Sequence, residues 1–157
     1  MNEAPYPFPH ADARDMLATA SDSGARARTL SVTRRRYPML SATCHCGAIR
    51  IEIPRRPRTL TNCNCSICRR YGTLWAYFKA ATVRIHAAPG ATAEYRWGDR
   101  RLKFLRCANC GCITHWEPVR RTAGSRFGVN VRNFDPDVIG PVRIRRLDGA
   151  STWKYLD

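Results

Sequence analysis

Short segments that alternate between hydrophobic and polar residues recur from Ser41 onward and predict β-strands. Residues 48–53 alternate strictly and place three isoleucines on one face, while the aromatic-rich residues 73–79 are typical of a largely buried strand. The other predicted strands span residues 82–86, 92–97, 101–106, 113–117, 126–131 and 142–147. Helical turns are predicted at residues 66–71 and 136–139. Many short strands at nearly regular spacing favour an antiparallel all-β fold.

Residues 1–38 lack this alternation. They combine a Pro-rich start, a stretch of Ala, Ser, Asp and Arg, and a basic triplet at residues 34–36. Such a composition buries too little apolar surface to offset the entropy of ordering. We therefore expect a disordered N-terminal extension over residues 1–38 and one folded domain over residues 39–157. Met39, just before the first cysteine motif, is a candidate alternative start of the chain.

The charge of the chain is strongly positive. Lys and Arg number 27 against 12 acidic residues, which gives a formal net charge of +15, and most of this excess lies after residue 40. Such a surface attracts anions, whether nucleic acid, acidic membrane or small carboxylates. The absence of a secretory signal pattern and of a long apolar run predicts a cytoplasmic protein without a membrane span. Because the cytosol is reducing, the eight cysteines indicate metal binding before disulfides.

The cysteines fall into three groups, and the first and third groups complement each other. Cys44 and Cys46 stand two apart, so on an extended chain their side chains point to the same side. Cys107 and Cys110, followed by Gly111, form the C-x-x-C turn of a zinc knuckle, in which glycine takes the backbone angles that a side chain would forbid. Together these four thiolates predict a closed tetrahedral zinc site of the structural type.

The middle group offers three sulfurs, from Cys63, Cys65 and Cys68. Three protein ligands with one vacant position distinguish a catalytic zinc from a structural one. Arg69 and Arg70 follow directly, and we expect their positive charge to lower the thiol pKa values and to bind a substrate carboxylate.

Several alternatives to an open catalytic site remain. A fourth protein ligand, either Cys112 or His115, would close the middle site, although a structural role is the more common one for such a histidine. A disulfide network fits poorly because the C-x-C spacing would strain a disulfide bond. An iron–sulfur cluster also fits poorly, because the cysteine spacings match neither common ferredoxin pattern. Four aromatic residues are expected in the core, one of them at a pocket mouth: Trp75, Tyr77, Phe78 and Trp97.

The cysteine motifs also carry a family resemblance. The series C-H-C-G at 44–47, C-x-C-x-x-C-R-R at 63–70 and C-x-x-C-G at 107–111 resembles the glutathione-dependent formaldehyde-activating enzyme family, also called the centromere protein V family. The resemblance extends from about Met39 to the C-terminus and implies an antiparallel fold of the β-tent kind. It implies two zinc ions, a structural one on Cys44, Cys46, Cys107 and Cys110 and a catalytic one on Cys63, Cys65 and Cys68.

The resemblance further implies an activity and a partner. The founding members of the family form S-(hydroxymethyl)glutathione from glutathione and formaldehyde, and they are classed as carbon–sulfur lyases. We therefore expect a zinc-dependent lyase that acts on glutathione–aldehyde adducts, with basic residues holding the carboxylates of the tripeptide. Another zinc enzyme, acting on a different aldehyde or thiol, is one alternative. A non-enzymatic zinc module that binds nucleic acid or another polyanion is a second, favoured by the charge but not by the scattered arginines.

Overall fold

The structure, a computed structural model, describes residues 38–157, so the predicted extension over residues 1–38 lies outside the described residues except for Pro38. The strands within the described part are β1 (Leu40–Thr43), β2 (Ile49–Ile53), β3 (Thr59–Cys63), β4 (Trp75–Lys79), β5 (Arg84–Ala87), β6 (Thr92–Arg96), β7 (Leu102–Cys107), β8 (Ile113–Pro118), β9 (Arg126–Asn130), β10 (Arg143–Asp148) and β11 (Lys154–Tyr155). The helices are α1 (Ser66–Tyr71) and α2 (Pro136–Ile139), with 3-10 turns at Ala80–Thr82 and Val131–Asn133.

These strands form two sheets. One has three strands in the order β1-β2-β5, and the other has eight in the order β11-β10-β3-β4-β9-β8-β7-β6. The prediction of an all-β fold is confirmed, and the strand pairs are antiparallel apart from β3 and β10, which run parallel. A parallel pair needs a long connection, and here most of the larger sheet lies between the two strands in sequence.

The core follows from the alternation in the sequence. Ile49, Ile51 and Ile53 project from one face of β2 and are fully buried, together with Phe127 and Val129 of β9. Each of the eight predicted strands has its counterpart in the structure. Three further strands were not predicted: β1, β3 and β11. The strands β1 and β3 escape prediction because polar residues and a cysteine motif interrupt their apolar pattern.

The middle cysteine group lies at the end of β3 and in the connection from β3 to β4. Strand β3 ends at Cys63, helix α1 follows directly, and Gly72 ends the helix with a left-handed backbone at φ 59°. The return strand β4 then pairs with β3, with Trp75 opposite Thr61. None of the helices described for residues 38–157 is both long enough and apolar enough to span a membrane.

Candidate metal centres and the adjoining cavity

Four cysteines from two distant turns meet at one point. Cys44 and Cys46 come from the turn between β1 and β2, whereas Cys107 ends β7 and Cys110 lies in the turn between β7 and β8. Their Sγ atoms all lie within 4.8 Å of one another, with 3.7 Å between Cys44 and Cys46 and 3.6 Å between Cys46 and Cys107. A tetrahedron with Zn–S bonds of about 2.3 Å has edges of about 3.8 Å. The donor set therefore fits a tetrahedrally coordinated metal ion.

Both turns depend on glycine. Gly47 and Gly111 have φ values of 80° and 75°, in the left-handed region that glycine favours. This backbone lets the N–H of Gly47 donate to the carbonyl of Cys44 at 2.9 Å, and the N–H of Gly111 to the carbonyl of Cys107 at 3.1 Å. Each turn thus folds back on its first cysteine. The zinc-knuckle interpretation predicts this for Cys107 and Gly111, whereas Cys44 and Cys46 lie in a turn and not on the extended chain that the sequence predicted.

The thiols of this cluster differ in their ionisation. Burial raises the pKa of Cys44 to about 12, although the N–H of Ile49 donates to its sulfur at 3.3 Å. The pKa of Cys110 is lowered to about 6, chiefly by a hydrogen bond from the backbone N–H of Cys112. Backbone donors therefore favour a thiolate within the cluster.

The middle group forms a second cluster. Cys63 ends β3, Cys65 precedes α1 and Cys68 lies within α1, and all three are buried, with 4%, 2% and 6% of their surface exposed. Their Sγ atoms also lie within 4.8 Å of one another, and no further His, Cys, Asp or Glu from residues 38–157 joins the group. Three thiols with no fourth donor in this part of the chain could hold a metal ion and leave a position free.

Neither proposed fourth ligand is at this cluster. Cys112 lies beside the four-cysteine cluster. Its thiol interacts with that of Cys110, and its backbone carbonyl accepts a hydrogen bond from the N–H of Cys107 at 2.9 Å. His115 is buried on β8, its ring stacked on Phe127 at a centroid distance of 5.0 Å and its Nδ1 2.9 Å from the hydroxyl of Thr114. Burial lowers the pKa of His115 to about 4, so the ring is a neutral core group.

Hydrogen-bond donors point at the sulfurs of the second cluster. The indole N–H of Trp75 donates to Cys68 Sγ at 3.2 Å, and the N–H of Cys65 to Cys63 Sγ at 3.5 Å. A hydrogen bond with Cys68 is the main cause that lowers the pKa of Cys63 to about 6, and the same bond, together with burial, raises the pKa of Cys68. Such donors orient and stabilise thiolate ligands.

Gly149, which the sequence did not single out, closes the other side of this cluster. A Cβ atom at this position would lie 2.5 Å from Cys63 Sγ and 3.2 Å from the Cβ of Cys65, and the backbone N–H of Gly149 donates to Cys63. The turn after β10 is held in place by Asp148, whose carboxylate accepts hydrogen bonds from Asn64 at 2.9 Å and from the hydroxyl of Thr152 at 2.9 Å. In the sequence, Asp-Gly indicates only a turn.

A cavity of about 610 Å³ opens beside the three cysteines. Six aromatic residues line it: Trp75, Tyr77, Trp97, Phe104, Trp116 and Trp153. All four tryptophans of the chain are among them. The sequence predicted all four aromatic candidates in the core and one of them at a pocket mouth. Trp75 and Phe78 are buried in the core, and three of the four candidates line this cavity: Trp75, Tyr77 and Trp97.

The arginines near the cavity are not the predicted ones. Arg69 and Arg70 are exposed and outside the cavity wall, and Arg70 donates to the carbonyl of Ser66 at 2.8 Å. The reason is helical geometry, because Cys68 faces inward and each following residue turns by about 100° toward solvent. Arg101 lines the cavity instead.

Arg101 also belongs to a neighbouring depression. This second depression, of about 430 Å³, is formed by Arg100, Arg101 and Arg120 with Pro118 and Val119. Because Arg101 and Pro118 line both, the aromatic cavity and the arginine-rich depression are adjacent. Three guanidinium groups beside an apolar cavity form a surface that attracts carboxylates.

The fold and the two cysteine clusters define an all-β protein with two candidate metal centres. Residues 39–143 match the family described as glutathione-dependent formaldehyde-activating enzyme, and the chain belongs to this family. A crystal structure of a Rhodobacter sphaeroides protein is similar, with 32% identity, a TM-score of 0.55, and coverage of 67% of this chain and 99% of that chain. No curated protein sequence matches the chain significantly. The resemblance predicted from the cysteine motifs is confirmed.

Proposed function

We propose that the protein is a zinc-dependent carbon–sulfur lyase acting on adducts between a thiol, with glutathione as the first candidate, and an aldehyde. The observation that carries this proposal is the three-cysteine cluster, which has no fourth donor among the described residues and opens into a cavity of about 610 Å³. The name of the family refers to both glutathione and formaldehyde. We expect the activity in the reducing cytosol, where the thiols stay reduced.

In this proposal the two clusters have different roles. Cys44, Cys46, Cys107 and Cys110 hold a structural zinc that joins two loops, since four thiolates complete a tetrahedron. The three thiols at the cavity hold a catalytic zinc. When bound there, zinc supplies a Lewis acid and an open coordination position. The proposed zinc domain spans residues 39–157, because Gly149 and Trp153 at the cavity lie beyond the family match.

The residues of the chain supply binding and orientation. The thiol adds across the carbonyl, so that a C–S bond forms, the carbonyl π bond opens and the thiol proton passes to oxygen, without any change of redox state. Arg101, with Arg100 and Arg120 beside it, offers positive charge for the carboxylates of the thiol compound. Arg69 and Arg70, which are exposed, retain at most a longer-range electrostatic role in this scheme.

Tyr77 is a candidate proton donor in the cavity. It carries the one hydroxyl among the described residues of the wall, and burial raises its pKa to about 12, against the effect of a hydrogen bond with Thr61. The phenol therefore keeps its proton at neutral pH. In this scheme the protonated Tyr77, which lines the cavity, donates a hydrogen bond to an aldehyde oxygen as negative charge develops on it.

The test combines zinc counting with two cysteine variants. We expect two zinc ions per chain, and we expect millimolar glutathione to perturb or release one of them. Cys65→Ser should abolish catalysed adduct formation and leave most of the fold, whereas Cys110→Ser should unfold the domain because a structural site contributes directly to folding. If both variants melt equally early, the second site is structural and the catalytic proposal fails.

A further inference from the structure

We propose that the cavity beside the three-cysteine cluster selects ligands carrying an aromatic group, so that the aldehyde partner is aromatic rather than formaldehyde. The reaction in this inference rests on the proposed function, whereas the binding preference is inferred from the residues that line the cavity. A volume of about 610 Å³ lies in the range of sites that enclose ligands much larger than a one-carbon aldehyde.

The chemistry of the wall is aromatic. Trp75 and Phe104 pack in one cluster with the three cysteines, and their ring centroids are 6.3 Å apart. The rings of Tyr77 and Trp116 pack in a tilted arrangement with centroids 5.9 Å apart. Rings arranged in this way present faces and edges to which a further ring can pack. In the described part of the wall, Asp99 and Arg101 are the charged residues.

Two tryptophans remain largely exposed at the cavity. Trp97 is 42% exposed and Trp153 is 65% exposed, although both are large aromatic side chains. Exposed aromatic residues at the edge of a cavity are typical of a binding site that a ligand completes. When an aromatic ligand binds, part of the apolar surface of both side chains would be buried against it and removed from water.

The position of Trp153 is built into the fold. Its φ of 57° lies in the left-handed region, which is uncommon for a residue with a side chain. The turn nevertheless holds it there, because the N–H of Trp153 donates to the carbonyl of Asp148 at 2.7 Å and the N–H of Thr152 donates to the carboxylate of Asp148 at 3.1 Å. Backbone strain maintained by surrounding hydrogen bonds is concentrated at functional positions.

The charge distribution indicates where the remainder of the ligand lies. The arginines of the adjacent depression, Arg100, Arg101 and Arg120, lie to one side of the aromatic wall. A ligand with an anionic part and an aromatic part can therefore bind across both surfaces, with its sulfur near the cysteines. An S-substituted anionic thiol compound with an aromatic substituent has this form.

The test uses two probes with the same peptide and charges, S-benzylglutathione and S-methylglutathione, and measures their dissociation constants by calorimetry on the zinc-loaded protein. We expect the benzyl compound to bind at least about 10-fold more tightly, because its ring is removed from water. Trp153→Ala, with Trp97→Ala as a second variant, should reduce this preference to below about 3-fold. Tyr95→Ala should preserve it, because Tyr95 is 46% exposed but lies outside the cavity wall.

The outcomes separate this inference from the proposed function. Equal affinity for the two probes, or no binding of either, overturns the aromatic preference and leaves the proposed lyase intact. A benzyl preference without any acceleration of free-thiol loss, with either benzaldehyde or formaldehyde and glutathione, supports the aromatic site and overturns the lyase. A larger acceleration of thiol loss over the uncatalysed rate with benzaldehyde than with formaldehyde, abolished by Cys65→Ser, supports both the aromatic preference and the proposed lyase.

Discussion

Replacing Gly149 with alanine would place a methyl group against the sulfur of Cys63. The added Cβ would lie 2.5 Å from Cys63 Sγ, whereas ordinary contact of a Cβ atom begins at 3.4 Å, so the two atoms must separate by about 0.9 Å. Metal–ligand distances tolerate about 0.2 Å. Because the required movement is several times larger, we expect the metal affinity of the three-cysteine cluster to fall by about 10-fold to 100-fold, as for other changes around metal ligands.

The matched control is Gly124→Ala. A Cβ at Gly124 meets nothing within 4 Å, and neither Gly124 nor Gly149 has a positive φ, so both positions accept alanine without backbone strain. We expect the free energy of unfolding to change by less than about 0.5 kcal/mol for Gly124→Ala and to fall by about 1–3 kcal/mol for Gly149→Ala.

The assay is a titration of each zinc-loaded protein with a chelator whose zinc complex is coloured. Gly149→Ala should release one of two zinc ions at a markedly lower chelator concentration than Gly124→Ala does, while the other ion is released as in the unaltered protein. If Gly149→Ala retains both ions with unaltered affinity, the turn after β10 does not shape the metal site and the reasoning is wrong.

Two further predictions concern Tyr77 and His115. Tyr77→Phe should slow adduct formation by about 10-fold to 100-fold with unchanged zinc content. Tyr71→Phe is the control and should leave the rate unchanged, because Tyr71 lies outside the cavity wall. Equal rates in the two variants would contradict a proton-donating role of Tyr77. His115 has a pKa of about 4 when folded and about 6.5 when unfolded, so between these values only the unfolded state binds the proton and stability falls as the pH falls. From pH 7 to pH 5 this effect should lower the free energy of unfolding, measured in denaturant titrations, by about 2 kcal/mol, and it should be absent in His115→Gln. Parallel pH profiles of stability in the unaltered protein and in the variant would contradict this prediction.

Much of the fold follows from local patterns in the sequence. The strict alternation of residues 48–53 predicts β2, and the buried faces of Ile49, Ile51 and Ile53 confirm it. The parallel pairing of β3 with β10 has no such local signal, because 79 residues separate Cys63 from Arg143 and nothing in either strand encodes its partner. Pairing over that distance is decided by the packing of the whole domain.

The cysteine clusters were predictable to a similar degree. Spacing alone grouped Cys107 with Cys110 and separated the middle three cysteines, because metal ligands must converge within a few ångströms. The cavity wall was not predictable, since Trp97 and Trp153 reach it from distant turns. In turn, residues close in sequence to the cysteines need not reach the cavity: Arg69 and Arg70 directly follow Cys68 but do not line it.

The order of the strands has a consequence for how the two clusters are assembled. A chain folds from its N-terminal part while synthesis continues. All four donors of the first cluster have been made once Cys110 has left the ribosome, and a metal ion can then join its two loops. The second cluster receives its Gly149 donor from the turn after β10, which is made only after all four donors of the first cluster. The first candidate centre can therefore be loaded at an earlier stage of translation, whereas the enclosed form of the other requires the turn after β10 to have been made.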